Sequence, residues 1–140
     1  NVKAHPKSCQ KVFTSPWEMT ITPLDTCGLV TLDGDRYRRF RDSKDPVAVT
    51  ILENYRLWST DRDKKNTAAE RNSSVLFDTV AVSLAVRQYF CKMERLGLRV
   101  TDQGFTVPDD HAKSINVATE WKSLDGIRDW LVGRLTGAGK

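Results

Sequence analysis

The chain has 140 residues, 39% of them hydrophobic and 29% charged, with 22 Lys and Arg against 18 Asp and Glu for a formal net charge of +4. That is the composition of an ordinary globular protein, long enough for one domain with its own core that folds without needing disulfides or a metal. No stretch approaches the ~20 consecutive apolar residues of a membrane span, and Asn1 to Gln10 is polar rather than a charged head followed by an apolar run, which argues against membrane and secretory classes.

In chain order, Pro6 followed by Cys9, Val12 and Phe13 predicts a short helix with proline at its first position and those three residues on one face. Met19-Thr20-Ile21-Thr22 alternates apolar and polar up to Pro23, the pattern of a strand with one buried face. Thr31 to Asp42 reads as a basic helix with Asp33 and Gly34 at its start. Asp45-Pro46 opens the clearest helix, where Asp45 accepts from a free amide and Val47, Ile51, Leu52, Tyr55 and Trp58 form an apolar stripe. Residues 59–74 turn polar and charged, which fits either an active-site lid or a plain mobile loop. Val80, Ala81, Leu84 and Ala85 then recur at helical spacing, placing Asp78 at or near a helix N-terminus. Leu98–Thr101, Phe105–Val107 and Ile115–Ala118 are short alternating segments separated by Asp102-Gln103-Gly104 and Pro108-Asp109-Asp110, which predicts an antiparallel meander. Ser123 caps a last helix that turns Leu124, Ile127, Leu131 and Leu135 inward and stops at Gly137. The expected organisation is one unit over 1–140, with a sheet and helix part in 1–90 and the meander plus terminal helix in 91–140.

The cysteines, Cys9, Cys27 and Cys91, form no Cys-x-x-Cys pair and have no histidine near them, so they read as structural thiols of a reducing, cytoplasmic protein. His5 and His111 read as surface residues. Arg36-Tyr37-Arg38-Arg39-Phe40-Arg41 interleaves aromatics with arginines. Two readings fit it: a grip on phosphates, or a solvated helix face around two core aromatics. Asp78, between an apolar run and a helix, is expected to be half-buried, where a carboxylate is costly unless it caps the helix or binds a cation. The chain begins with Asn1 rather than Met, so its start is expected to be a processing site, an engineered boundary or the edge of an incomplete gene.

Three segments carry a resemblance in their order and spacing: Asn1-Val2, Met19-Thr20-Ile21-Thr22-Pro23-Leu24-Asp25-Thr26, and Leu76-Phe77-Asp78-Thr79-Val80-Ala81-Val82. Over nearly the whole chain they resemble the C-terminal part of the inosine-uridine preferring nucleoside hydrolases. The resemblance implies the C-terminal part of an open, mostly parallel α/β sheet flanked by helices, with a small antiparallel meander and a C-terminal helix. It implies hydrolysis of the N-glycosidic bond of ribonucleosides by a water held on Ca²⁺, a cation that takes six to eight oxygen ligands. Residue by residue, it implies that Asp78 is a calcium ligand and that Asn1 contacts ribose hydroxyls. Phe77 stands where many members carry a histidine that helps protonate the leaving base, and residues 59–74 stand where they carry a flap. It further implies a ribonucleoside as partner; the composition argues against a membrane partner, makes nucleic acid a weak expectation, and leaves a homo-oligomer open. The family's N-terminal aspartate cluster has no counterpart here, so this chain alone is expected not to hydrolyse nucleosides. The alternative is a non-catalytic module that binds nucleic acid through Arg36, Arg38, Arg39 and Arg41, or a nucleoside-hydrolase-like binding module.

Overall fold

A computed structural model of the protein describes residues 2–62 and 67–137. Helix α1 (Pro6–Thr14) starts on its proline, whose missing N–H breaks no helical bond. Its inner side is Cys9, Gln10 and Phe13 rather than the expected Cys9, Val12 and Phe13. Gln10 donates to the Val100 carbonyl at 3.1 Å and Phe13 packs on Leu98, Ile115 and Val117, so Val12 faces out. Lys113 Nζ donates to the carbonyls of Ser15 and Trp17 and holds the chain that leaves α1.

Strand β1 (Thr20–Ile21) is shorter than the predicted strand, and one turn of helix, α2 (Leu24–Cys27), follows Pro23 directly. Helix α3 (Gly34–Arg41) begins three residues later than the sequence predicts. Leu32 is instead buried in extended chain, its N–H donating to Ser73 Oγ at 2.8 Å while its carbonyl accepts from Ser73 N–H at 2.8 Å. Helix α4 (Pro46–Arg62) opens as predicted, with Asp45 Oδ1 accepting from the Val47 N–H at 2.9 Å. Its buried ridge is Ala48, Leu52, Tyr55 and Ser59, at spacings of four, three and four. The predicted stripe mixed this ridge with its neighbour, and Val47, Ile51 and Trp58 stay exposed. The smaller ridge turns inward because the space beneath it is already filled by Tyr37 and Phe40.

The polar segment is corrected by this geometry. Residues 59–62 belong to α4, and Ser59 is buried with its hydroxyl donating to the Arg56 carbonyl. Residues 63–66 lie outside the described residues. Beyond them a 3-10 turn, Ala68–Glu70, is tied down on several sides. Tyr37 donates to the Ala69 carbonyl at 2.5 Å, Arg41 donates to the Glu70 carbonyl at 2.9 Å, and Arg56 grips the Glu70 carboxylate through two bonds of 2.6 and 3.0 Å. These ties hold the 3-10 turn, part of the segment 59–74 read as a lid or mobile loop, against α3 and α4.

Helix α5 (Phe77–Val86) leads into strands β2 (Cys91–Val100), β3 (Thr106–Pro108) and β4 (Ser114–Trp121), and helix α6 (Leu124–Leu135) closes the fold. The sheet runs β1-β4-β2-β3. β1 pairs with β4 in parallel through Thr20 with Asn116 and Ile21 with Val117, whereas β2 pairs antiparallel with both β3 and β4. The parallel character expected of the sheet is thus confined, among the described residues, to one pair. The antiparallel part is also not a simple up-and-down series, because β4 lies on the side of β2 opposite β3. Burial explains the order: β4 buries Ile115 and Val117 on one face and Ala118 on the other and takes a central place, while three-residue β3 suits an edge. The turn after β2 has Gly104 at φ +79°, a left-handed conformation that glycine adopts without strain.

Two layers of helix cover the sheet. α1 packs with Phe13 on the Leu98, Ile115 and Val117 face. On the other face, α5 sets Leu84 against Cys91 and Ala118, and Val80 against Cys27 and Val30. A separate core joins α3, α4 and α6 through Tyr37, Phe40, Leu52, Leu131 and Val132. Ser123 caps α6 as predicted, its hydroxyl accepting from the Gly126 N–H at 3.1 Å.

Candidate functional site

In open α/β sheets, ligands bind beyond the carboxyl ends of the parallel strands. β1 ends at Ile21, and the next six residues turn through Pro23 into α2. α2 is fixed there by Thr26, whose buried hydroxyl donates to the Ala118 carbonyl at 2.8 Å and whose carbonyl accepts from Trp121 Nε1 at 2.9 Å. The N-terminal half of α5 packs on α2 and the chain just after it through Val80, Cys27 and Val30. Phe77 and Asp78 are the first two residues of α5 and so stand at this end of the sheet.

The surroundings of Asp78 differ from those expected. It is exposed rather than half-buried, and the N-cap position belongs to Leu76, which supplies no side-chain bond. Phe77, the reason for expecting burial, itself points outward. A carboxylate in the first helical turn is favoured by the positive end of the helix dipole and stays solvated without a partner. Burial pushes the Cys27 thiol upward, and the Asp78 and Asp25 carboxylates add to that rise. The Thr22 hydroxyl is also buried, and it tempers the rise of the Cys27 thiol. Asp25 and Thr22 were not singled out as site residues from the sequence; their only signal was the Thr-Pro-Leu-Asp run after a strand. Asn1, assigned to ribose contact by resemblance, lies outside the described residues.

Calcium needs six to eight oxygen ligands. Among the described residues no three His, Cys, Asp or Glu side chains converge so that they could hold a metal. Among the described residues, Asp78, with Asp25 and Thr22 on the neighbouring turn, has no further side-chain ligands of these types gathered around it.

The arginine cluster has the features of a helix face around two core aromatics. Tyr37 and Phe40 are buried in the core. Arg36 bonds Asp129 at 2.6 and 3.0 Å and Asp125 at 2.8 Å, Arg38 pairs with Asp35, and Arg41 pairs with Asp42. The Arg36 guanidinium, with Arg39 contributing, holds the Asp129 carboxyl below the usual carboxylate range. These pairs offset the charge of Arg36, Arg38 and Arg41, while Arg39 is exposed. His5 and His111 are exposed, as expected. Grooves of about 260 and 280 Å³ open beside α1 and around Trp17, and neither is lined by Phe77 or Asp78. No helix among the described residues is long and apolar enough to cross a membrane.

No family model matches the chain, and no curated protein matches it in sequence. Solved structures do match. A plant nucleoside hydrolase superposes with a TM-score of 0.78 at 16% identity, over 97% of this chain and 46% of that one. The purine-preferring ribonucleoside hydrolase from Gardnerella vaginalis does so with a TM-score of 0.75 at 19% identity, over 98% and 45%. The inosine-uridine preferring nucleoside hydrolase from Bacillus anthracis gives 0.62 at 18% identity, over 95% and 41%. The chain spans less than half the length of each of these three structures. At these identities the likeness is one of fold: over its own length, the chain has the fold of a part of a nucleoside hydrolase.

Proposed function

We propose that this chain is the C-terminal portion of a nucleoside N-ribohydrolase, which cleaves ribonucleosides to ribose and base, and that it is inactive by itself. The observation that carries the reading is the setting of Phe77 and Asp78. They open α5 beside the Pro23-Leu24-Asp25 turn at the carboxyl end of the parallel strand, where an open α/β sheet binds its ligand. The three matched structures, all named as nucleoside hydrolases, support it.

In this reading Asp78 gives one carboxylate to a calcium ion whose other ligands come from outside the chain, and Asn1 contacts the ribose. Phenylalanine has no proton to give, so Phe77 offers its exposed ring as a flat apolar wall for the base. The free thiols of Cys9, Cys27 and Cys91 suit a reducing compartment, and we assign the protein to the cytoplasm.

Calorimetric titration with Ca²⁺, together with assays of inosine and uridine cleavage, tests the proposal. The chain alone is expected to show neither tight calcium binding nor turnover, and finding both would overturn it. In a complete domain that carries this chain, Asp78→Asn is expected to lower both calcium affinity and turnover by tenfold or more; unchanged values would remove Asp78 from the site.

A further inference from the structure

The groove of about 280 Å³ around Trp17 opens where β1 and β4 begin, whereas Phe77 and Asp78 stand beyond the end of β1. Trp17 and Glu18, on the segment that leaves α1, line it together with Arg95 of β2, Lys113 and Ser114. Its two cations are matched by no carboxylate among the described residues, whereas Arg36, Arg41, Arg56 and Arg99 each pair with one. Arg95 donates only to the Ser114 hydroxyl and carbonyl, at 3.3 and 3.4 Å, bonds too long and too neutral to offset its charge. Lys113 spends two of its three N–H groups on the Ser15 and Trp17 carbonyls, which anchors the backbone carrying Trp17 and keeps the ammonium at the groove. The Trp17 ring is 57% exposed, and Glu18 pairs with neither cation.

We propose that this groove binds a free nucleoside monophosphate, with its base on the Trp17 ring and its phosphate on Arg95 and Lys113. An exposed indole is a flat surface on which any base stacks. A guanidinium offers a fork of donors that fits phosphate oxygens, and an ammonium beside it adds a point charge. Two unmatched cations suit a phosphate monoester, with up to two negative charges and three terminal oxygens, better than a carboxylate with one charge. The Glu18 carboxylate is an acceptor for sugar hydroxyls or an amino group, and the Ser114 hydroxyl can turn to donate. The volume, at the small end for ligand sites, suits one nucleotide unit. The inference uses neither Phe77 nor Asp78 and does not depend on the functional proposal.

Calorimetric titration of the full chain with AMP, adenosine, inorganic phosphate and a short single-stranded RNA is the test. AMP is expected to bind at least about tenfold more tightly than adenosine or phosphate, because only it engages both ends of the groove. Trp17→Ala should weaken AMP and adenosine about tenfold and leave phosphate unchanged. Arg95→Gln should weaken AMP and phosphate about tenfold and leave adenosine unchanged. Both side chains are exposed, so each variant is expected to unfold at the parent's temperature. In the parent itself, AMP is expected to shift the amide resonances of Trp17 to Met19 and Lys113 to Asn116, a readout that needs no variant. No binding of AMP at millimolar concentration, AMP no tighter than phosphate, resonance shifts at Phe77 to Val80 instead, or tighter binding of the RNA than of AMP would each overturn the proposal.

Discussion

Replacing Tyr37 with phenylalanine removes one hydroxyl and keeps the ring. Tyr37 has no exposed surface, and its hydroxyl reaches across 32 residues of sequence to the Ala69 carbonyl at 2.5 Å. The variant retains the packing against Phe40, whose ring centroid lies 5.8 Å away, but it leaves the carbonyl of a residue only 2% exposed without that donor. An acceptor stranded in this way costs about 1–3 kcal/mol. The expected loss is about 2 kcal/mol near neutral pH, or roughly 5–10 °C in Tm. The same bond makes a second, opposite demand at high pH. Burial pushes the Tyr37 phenol up to about 12, while in the unfolded chain it titrates near about 10. The native state therefore holds this proton more tightly, and the stability it contributes is whole below about pH 10 and is lost as pH rises toward about 12. About 2 kcal/mol is lost from the parent on that climb and not from Tyr37→Phe, so the gap between them should close. Urea denaturation of both proteins across this range measures the gap, and amide exchange at Ala68 to Ser73 reports whether the 3-10 turn loosens first. A difference under about 0.5 kcal/mol at neutral pH, or one that does not change with pH, would refute the claim that Tyr37 pins this segment.

Two further substitutions test how the sheet and the last helix are held. A Cβ added at Gly97 would lie 2.2 Å from the Asp109 carbonyl oxygen and 3.2 Å from that of Ala112, both backbone atoms of the turn before β4, so Gly97→Ala is expected to cost at least about 2 kcal/mol by chemical denaturation. Parent-like stability would mean that this turn yields. Ser123→Ala should cost about 1 kcal/mol through the lost bond to the Gly126 N–H, with Ser123→Asp recovering most of it, as read by thermal unfolding.

Features set by neighbours in sequence were the legible ones. Asp45-Pro46 and Ser123 cap their helices as expected because a cap needs only the next two or three amides. Strand β2 was legible only over its last residues, because Gly97 lowers strand propensity and a register shift at Lys92 and Met93 breaks the alternation. The face of α4 was misread because two adjacent ridges are both apolar, and only Tyr37 and Phe40, from another helix, choose between them. For the site, the position of Asp78 in the first turn of α5 was readable, but its exposure was not, since that depends on Phe77 turning outward. The pairing of α2 with α5 was also hidden, being formed by residues such as Cys27 and Val80 that are far apart in the chain.

The pairing of β1 with β4 also dictates an order of events when the chain folds. Thr20 and Asn116 are separated by 96 residues, Thr26 and Ala118 by 92, and Gln10 and Val100 by 90. Every one of these ties between the first and last thirds closes a loop of nearly the same great length, so none can form before β2 and β4 exist to receive it. On the ribosome, the N-terminal third must therefore wait, with Phe13, Met19 and Ile21 uncovered, until synthesis has passed Trp121. The pairing that places β1 beside the candidate site thus waits for β4, the last strand of the sheet in the sequence.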